Sequence, residues 1–400
     1  MNEVNDTPDH PAPDAAPERQ HRRGWRRFLL ATTLTAAVAT TAVAALTGET
    51  ATNQTDPTSA MAHEGMVTGT VWVANEEGGS LTAIDAATNE VRTTVTGIDG
   101  PHNVQVSPDG TSIWAVSGHD SVAAMLDSTD LALHGAVPTG AAPAHVVVTP
   151  DGTTAYTTNG ADGTVTAIDT ATMEQVATIP TGAGPHGLRP SPDGRWIYVA
   201  NLAESALSVI DTRTNTNVDD IRVGQAPAQV AFSPDGRFVY ASLNGEDAVA
   251  KVDVAQRRLI ETVDVGDGPI QTYVTPDNKY LLVANQGTED RPGTTVSVID
   301  TDSFTVTKTV ETGRGAHGIV VDPTGQHAYI TNIYGNDVAV VDLDTLAVVD
   351  RVPVGDKPNG VSFTPTAVET GQAVSVELPA AVSDAGDGHG SEDGHDAEGH

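Results

Sequence analysis

Short apolar runs separated by polar, turn-forming residues recur along the chain from Val67 to about Pro365. The stretch from Pro185 to Gly224 shows the unit most clearly. Pro185-His186-Gly187-Leu188 leads to Pro192-Asp193-Gly194; Trp196-Ile197-Tyr198-Val199-Ala200-Asn201 follows, then Leu207-Ser208-Val209-Ile210-Asp211, then Val218 to Val223. Each run has strand length and is rich in β-branched and aromatic residues, so each predicts a β-strand. Pro-Asp-Gly predicts a tight turn, because Pro presets φ, Asp bonds its own following backbone and Gly accepts a positive φ. The aspartates that end the third strand, Asp85, Asp169, Asp211 and Asp300, predict turn caps of the same kind.

The turn's last residue falls at Gly110, Gly152, Gly194, Gly236, Asn278 and Gly325, a period of 42 (152 − 110) broken by one step of 47 (325 − 278). The long step carries a polar insertion, Gln286 to Gly293, which predicts a loop in the sixth unit. A period of this length with four strands per unit is the mark of a β-propeller. The second strand occurs seven times, from Val71-Trp72-Val73-Ala74-Asn75 to Ala328-Tyr329-Ile330-Thr331-Asn332. The first strand also occurs seven times, but it starts later, at Pro101, and finishes later, at Pro358-Asn359-Gly360-Val361-Ser362-Phe363. The pattern therefore predicts an all-β, seven-bladed β-propeller of four-stranded antiparallel blades. Its N- and C-terminal strands share one blade and close the ring, which leaves no long bare edge.

Tyr198-Val199-Ala200-Asn201 and Tyr329-Ile330-Thr331-Asn332, with the Pro-Asp-Gly turns and Val-Ile-Asp-Thr strand ends, resemble the YVTN family of bacterial and archaeal surface-associated β-propellers. The resemblance runs from Val67 to about Pro365. It implies kinship with the lactonase-like and nitrous oxide reductase-type propellers and with the haem-d1 propeller of nitrite reductases. What it implies is a fold and a place at the cell surface; activity on such a fold is set by its site.

Charge and composition narrow the partners. The chain holds 53 acidic and 20 basic residues, a formal net charge of -33, and such a field repels duplex nucleic acid. The absence of cysteine excludes disulfides, thiolate catalysis, cysteine-zinc sites, iron-sulfur clusters and a lipoprotein anchor. Near the N-terminus, Arg26-Arg27 followed by Phe28-Leu29-Leu30 and an uncharged stretch to Leu46 resembles a twin-arginine export signal. The expected organisation is a signal peptide over 1–45, a linker over 46–66, the propeller over 67–365 and an acidic, His- and Gly-rich disordered tail over 366–400. An uncleaved anchor over Phe28 to Leu46 is the alternative, and it is the one route by which a membrane would be a partner. The expected location is extracytoplasmic: secreted, periplasmic or at the cell surface.

Candidate chemistry gathers where the innermost strands begin. The seven starts read Pro101-His102-Asn103, Pro143-Ala144-His145, Pro185-His186-Gly187, Pro227-Ala228-Gln229, Pro269-Ile270-Gln271, Ala316-His317-Gly318 and Pro358-Asn359-Gly360. Four carry a histidine. With His119 of a neighbouring loop and Asn359, His102, His145, His186 and His317 predict a ligand site at the channel mouth. Converging imidazoles suit copper or zinc, so these four are also candidate metal ligands. Their chain positions put His102, His145 and His186 on consecutive blades and His317 on a distant one. The plainer reading is that Pro-His-Gly is repeat consensus whose imidazoles bond loop backbone.

Met61, His63 and Met66 before the propeller, and His389, His395 and His400 in the tail, offer further soft or loose ligands. The loop acids Glu76, Asp162, Glu204, Glu246 and Asp337 share no motif and read as a solvated rim, so no catalytic residue is assigned. The expected function is an extracytoplasmic binding or scaffold propeller, monomeric, holding a protein or small-molecule ligand at its channel mouth. The alternatives are a copper- or zinc-binding protein and a lactonase-like, metal-dependent hydrolase.

Overall fold

The computed structural model of the protein describes residues 67–368 and 371–379. Every regular element among them is a strand, and the strands form seven antiparallel blades. We number the blades 1 to 7 around the ring. Blade 1 runs, from channel to rim, Pro358–Thr364, Thr70–Asn75, Ser80–Asp85, Glu90–Thr96. Blades 2 to 7 follow in chain order, with inner strands Pro101–Val106, Pro143–Val148, Pro185–Pro190, Pro227–Phe232, Pro269–Val274 and Ala316–Val321.

The ring closes as the offset of the repeats predicts: the last inner strand pairs antiparallel with the first strand of the chain, Thr70 opposite Thr364 and Val73 opposite Val361. The chain then continues past Pro365, where the repeat pattern placed the end of the propeller. Val374–Ser375 add a short parallel fifth strand to Glu90–Thr96, and Val368 and Val376 are buried against blade 1. Alternation in Val374-Ser375-Val376-Glu377-Leu378 explains this, since period-two apolar residues can cover a sheet edge. His389, His395, His400, Met61, His63, Met66 and the export segment lie outside the described residues.

The core lies between blades. An aromatic stands in the middle of the second strand at Trp72, Trp114, Tyr156, Tyr198, Tyr240 and Tyr329, each nearly or wholly buried. Three of these rings reach an aromatic of the next blade: Tyr198 meets Phe232 edge-on at 5.2 Å, Tyr240 stacks on Phe304 at 5.8 Å, and Tyr329 lies 6.4 Å from Phe363. Burial pushes the phenols of Tyr198 and Tyr240 up to about 12, so they stay neutral in these seams.

The predicted turns form as the side-chain chemistry demands. In blade 2 the Ser107 hydroxyl donates to Asp109 at 2.6 Å, the Thr111 amide does so at 3.1 Å, and Gly110 takes φ +74°. The third-strand aspartates cap backbone amides, as Asp85 does for Ala87 at 2.8 Å and Asp300 for Ser303 at 2.8 Å. These carboxylates are structural.

Candidate functional site at the channel mouth

One local irregularity builds the site. In blades 2 to 7 the pairing of inner with second strand shifts register between the first and fourth inner residues, for example between Pro101 and Val104 and between Pro143 and Val146. A bulge frees the second and third residues from the ladder and re-aims their side chains. His102, His186 and His317 occupy the second position, whereas His145 occupies the third. Even so, the His145 ring lies 4.8 Å from that of His186 and 5.5 Å from that of His102, centroid to centroid.

His102, His145 and His186 each offer a ring nitrogen within 4.8 Å of the others. His102 Nε2 and His186 Nε2 are 3.2 Å apart. His186 Nδ1 lies 2.9 Å from the Ala228 carbonyl, which can only accept, so Nδ1 carries the proton and Nε2 is bare. His102 Nδ1 lies 3.2 Å from Glu76 Oε1. The Asn359 amide, 3.0 Å from the same nitrogen, donates to Glu76 Oε2 at 2.8 Å; the ionised carboxylate can only accept, and we place the ring proton on Nδ1 facing it. Two lone pairs therefore face each other at contact distance. A shared proton or a cation between them relieves the repulsion.

His317 is not on a remote blade. Blades 7 and 2 flank blade 1 once the ring closes, and the ring of His317 lies 6.3 Å from that of His102. Its Nδ1 donates to Gln286 Oε1 at 3.1 Å, leaving a buried Nε2 with no partner. The buried His145 Nε2 is likewise unpaired, and Gln229 Nε2 stands 3.5 Å from its Nδ1. His119 belongs to the rim: it is exposed, and its Nδ1 sits 3.1 Å from Asp99. Asn359 acts through its clamp on Glu76.

Burial holds all three deep imidazoles neutral. It lowers His186 to about 4 and His317 to about 3, with the neighbouring His102 ring adding to both, and drops His145 well below the ordinary range. Neutral imidazole is the form that binds metals. Burial raises Glu76, yet its hydrogen bond and charge contact with His102 outweigh that and bring it to about 2. Above these groups opens a cavity of about 470 Å³, lined by His102, His119, His186, Glu76 and the small residues Gly100, Gly118 and Gly184.

The loop acids are not a mere solvated rim. Asp162, Glu204 and Glu246 each accept the backbone amide of a residue 21 positions earlier, in an adjoining loop: Ala141 at 2.6 Å, Ala183 at 3.0 Å and Gln225 at 2.9 Å. They latch neighbouring loops together. Glu204→Ala is expected to cost about 1 kcal/mol in urea unfolding, while leaving the far-UV spectrum unchanged. Glu76 differs because it turns inward, and it stands where blade 6 has Gln286. Both residues immediately follow the second strand's Asn and reach the second inner residue of the next blade. Aligning that position across the repeats was the signal that would have found them.

These features define a seven-bladed propeller with a histidine-lined channel mouth. The chain belongs to the YNCE-like beta-propeller family, whose model matches residues 135–369. Residues 44–222 also match the family of lactonases with a 7-bladed beta-propeller. No curated protein matches the chain in sequence. Among solved structures, hydrazine synthase of Kuenenia stuttgartiensis is similar at 26% identity and TM-score 0.61, over 68% of this chain and 91% of that one. A functionally unknown protein of Desulfotomaculum acetoxidans shares 16% identity at TM-score 0.66, over 74% and 99%. A putative 6-phosphogluconolactonase of Bacteroides uniformis shares 19% at TM-score 0.64, over 74% and 100%. The last two likenesses speak to the fold alone.

Proposed function

We propose that this is an extracytoplasmic metal-binding propeller that holds one copper or zinc ion at its channel mouth on His102, His145 and His186. The observation that carries the reading is the 3.2 Å approach of two Nε2 atoms whose Nδ1 protons are already committed to Glu76 and the Ala228 carbonyl. An outer carboxylate or carbonyl that fixes the tautomer of a histidine is the usual support of an imidazole ligand. Glu76 adds a negative charge beside the ion, and Asn359 keeps that carboxylate in place. Export by the twin-arginine-like segment around Arg26-Arg27 would put the site outside the cytoplasm.

Elemental analysis of untagged full-length protein, with His389, His395 and His400 changed to alanine, tests this. One equivalent of copper or zinc is expected to remain, and to be lost in the further variant His102→Ala/His145→Ala/His186→Ala. Unchanged metal content in that variant would rule the channel site out. A hydrolytic role is the second reading, favoured by the lactonase-family match over 44–222 and by Glu76 placed beside the imidazoles at the cavity. Chelator-sensitive cleavage of a simple lactone that disappears with Glu76→Gln would turn the binding site into an active site.

A further inference from the structure

At the other end of the channel the fifth residues of the inner strands form a second ring. The second and fifth positions of one strand are about 10 Å apart along the channel at roughly 3.3 Å per residue, so this ring is separate from the histidines. It lines a cavity of about 500 Å³. Arg189 is its one cation; the other polar members of the ring are Gln105, Tyr273 and Ser362, and the rest are aliphatic. No carboxylate lines the cavity.

Arg189 is a cation in a chain of net charge -33, at a cavity that no carboxylate lines. Among the described residues it has no ion pair, and its one hydrogen bond runs from Nη1 to the carbonyl of its own neighbour Leu188 at 3.0 Å. A guanidinium carries five N–H donors in a planar fork. Arg189 is half-buried, and burial disfavours its charge; an anion meeting the unused donors would offset that cost. Thr272 borders the same cavity, but its hydroxyl is shut off from it, with the residue 1% exposed. Burial raises the Tyr273 phenol, so it stays protonated and able to donate. Val147, Phe232, Ile319 and Phe363 supply an apolar wall.

We propose that this second mouth binds a small organic anion, with its carboxylate or phosphate head on the Arg189 fork and the Tyr273 hydroxyl and its apolar body against Phe232 and Phe363. The two heads share the same oxyanion chemistry; the apolar wall selects against a bare inorganic ion. This site is independent of the metal reading and uses none of its residues.

Titration calorimetry of the full-length protein with benzoate, phenyl phosphate and inorganic phosphate, at low and high salt, tests it. Benzoate or phenyl phosphate is expected to bind at millimolar concentration or better, and whichever binds more tightly identifies the head group. Inorganic phosphate should bind more weakly, and added salt should weaken all three. Arg189→Met is expected to lower affinity at least tenfold; Tyr273→Phe, which keeps the ring, should lower it several-fold in a protein whose thermal transition is unchanged. His102→Ala should leave anion binding intact. Failure of both aromatic anions to bind the natural protein, or binding by Arg189→Met and Tyr273→Phe equal to that of the natural protein, would overturn the proposal, and tighter binding of inorganic phosphate than of phenyl phosphate would refute the apolar subsite.

Discussion

Deletion of Gly360 to Pro365 is expected to remove cooperative thermal unfolding of the whole ring, although it takes away fewer residues than a single blade strand and its outermost neighbour. These residues form most of the inner strand of blade 1, and they lie opposite Thr70 to Val73. Ser362 Oγ accepts the Val106 amide of blade 2 at 3.0 Å, so the strand also ties the seam to the following blade. Ladder bonds worth about 1 kcal/mol each and burial of Val361 and Phe363 at roughly 1.5–3 kcal/mol each bring the loss into the ~5–15 kcal/mol that holds a domain folded. The bare strand Thr70–Asn75 would be left as an unpaired edge. Calorimetry checks this, and a peptide of residues 357–368 added to the deleted protein is expected to restore part of the transition. A melting temperature within a few degrees of the natural protein's would sink the closure model.

Lowering the pH from 7 to 5 is expected to destabilise the metal-free protein by roughly 2 kcal/mol for each of His186 and His317, and further through His145, whose imidazole burial also holds neutral. The folded state keeps these imidazoles neutral, with burial as the main cause and His186 and His317 brought to about 4 and about 3. The unfolded chain takes up protons as pH falls below the ordinary value of 6.5, while the folded protein does not. Their contribution is therefore complete above 6.5, declines as pH falls, and stops declining only when the folded-state values are reached. The carboxylates act in a lower window. Asp109, Asp151, Asp193 and Asp235 are depressed first by a hydroxyl hydrogen bond and then by backbone amides, against burial, which raises them, and they lose their contribution only as pH falls below 3.8. Glu76 loses its contribution between 4.5 and about 2. The interval from 6.5 to 4.5 thus belongs to the imidazoles. Urea unfolding across that interval should show a steep decline for the natural chain and a much shallower one for His145→Asn/His317→Asn. Parallel profiles would mean that the buried imidazoles are not the acid-sensitive groups.

The site was legible only in part. His102, His145, His186 and His317 stand out because the repeat can be aligned and their positions read off. The sequence order hides that His317 neighbours His102, because ring closure makes the last full blade and the second blade near neighbours. It also hides that His145, one residue out of step with the others, points into the same space, since the bulge between the first and fourth inner residues is invisible in a hydrophobic pattern. Glu76 reads as one more surface acid until its contact with His102 is seen. Nothing in the sequence pattern singles out Arg189, because the fifth positions of seven strands meet at one cavity only in the closed ring. The latching acids Asp162, Glu204 and Glu246 differ in residue type and share no local motif, because what they have in common is a partner in another loop.

The repeat by itself determined the blade count, the four strands of each blade, the turns and the shared first and last blade. All of these follow from local periodicity, turn chemistry and the offset between first and second strands, which are properties of neighbours along the chain. Only the tertiary structure decided which imidazole faces which, which carboxylate fixes a tautomer, which histidines are held neutral, and that a lone guanidinium sits without a counter-ion at the far mouth. Those properties depend on distances between residues many tens of positions apart and on how much water each group loses, and a sequence pattern carries neither.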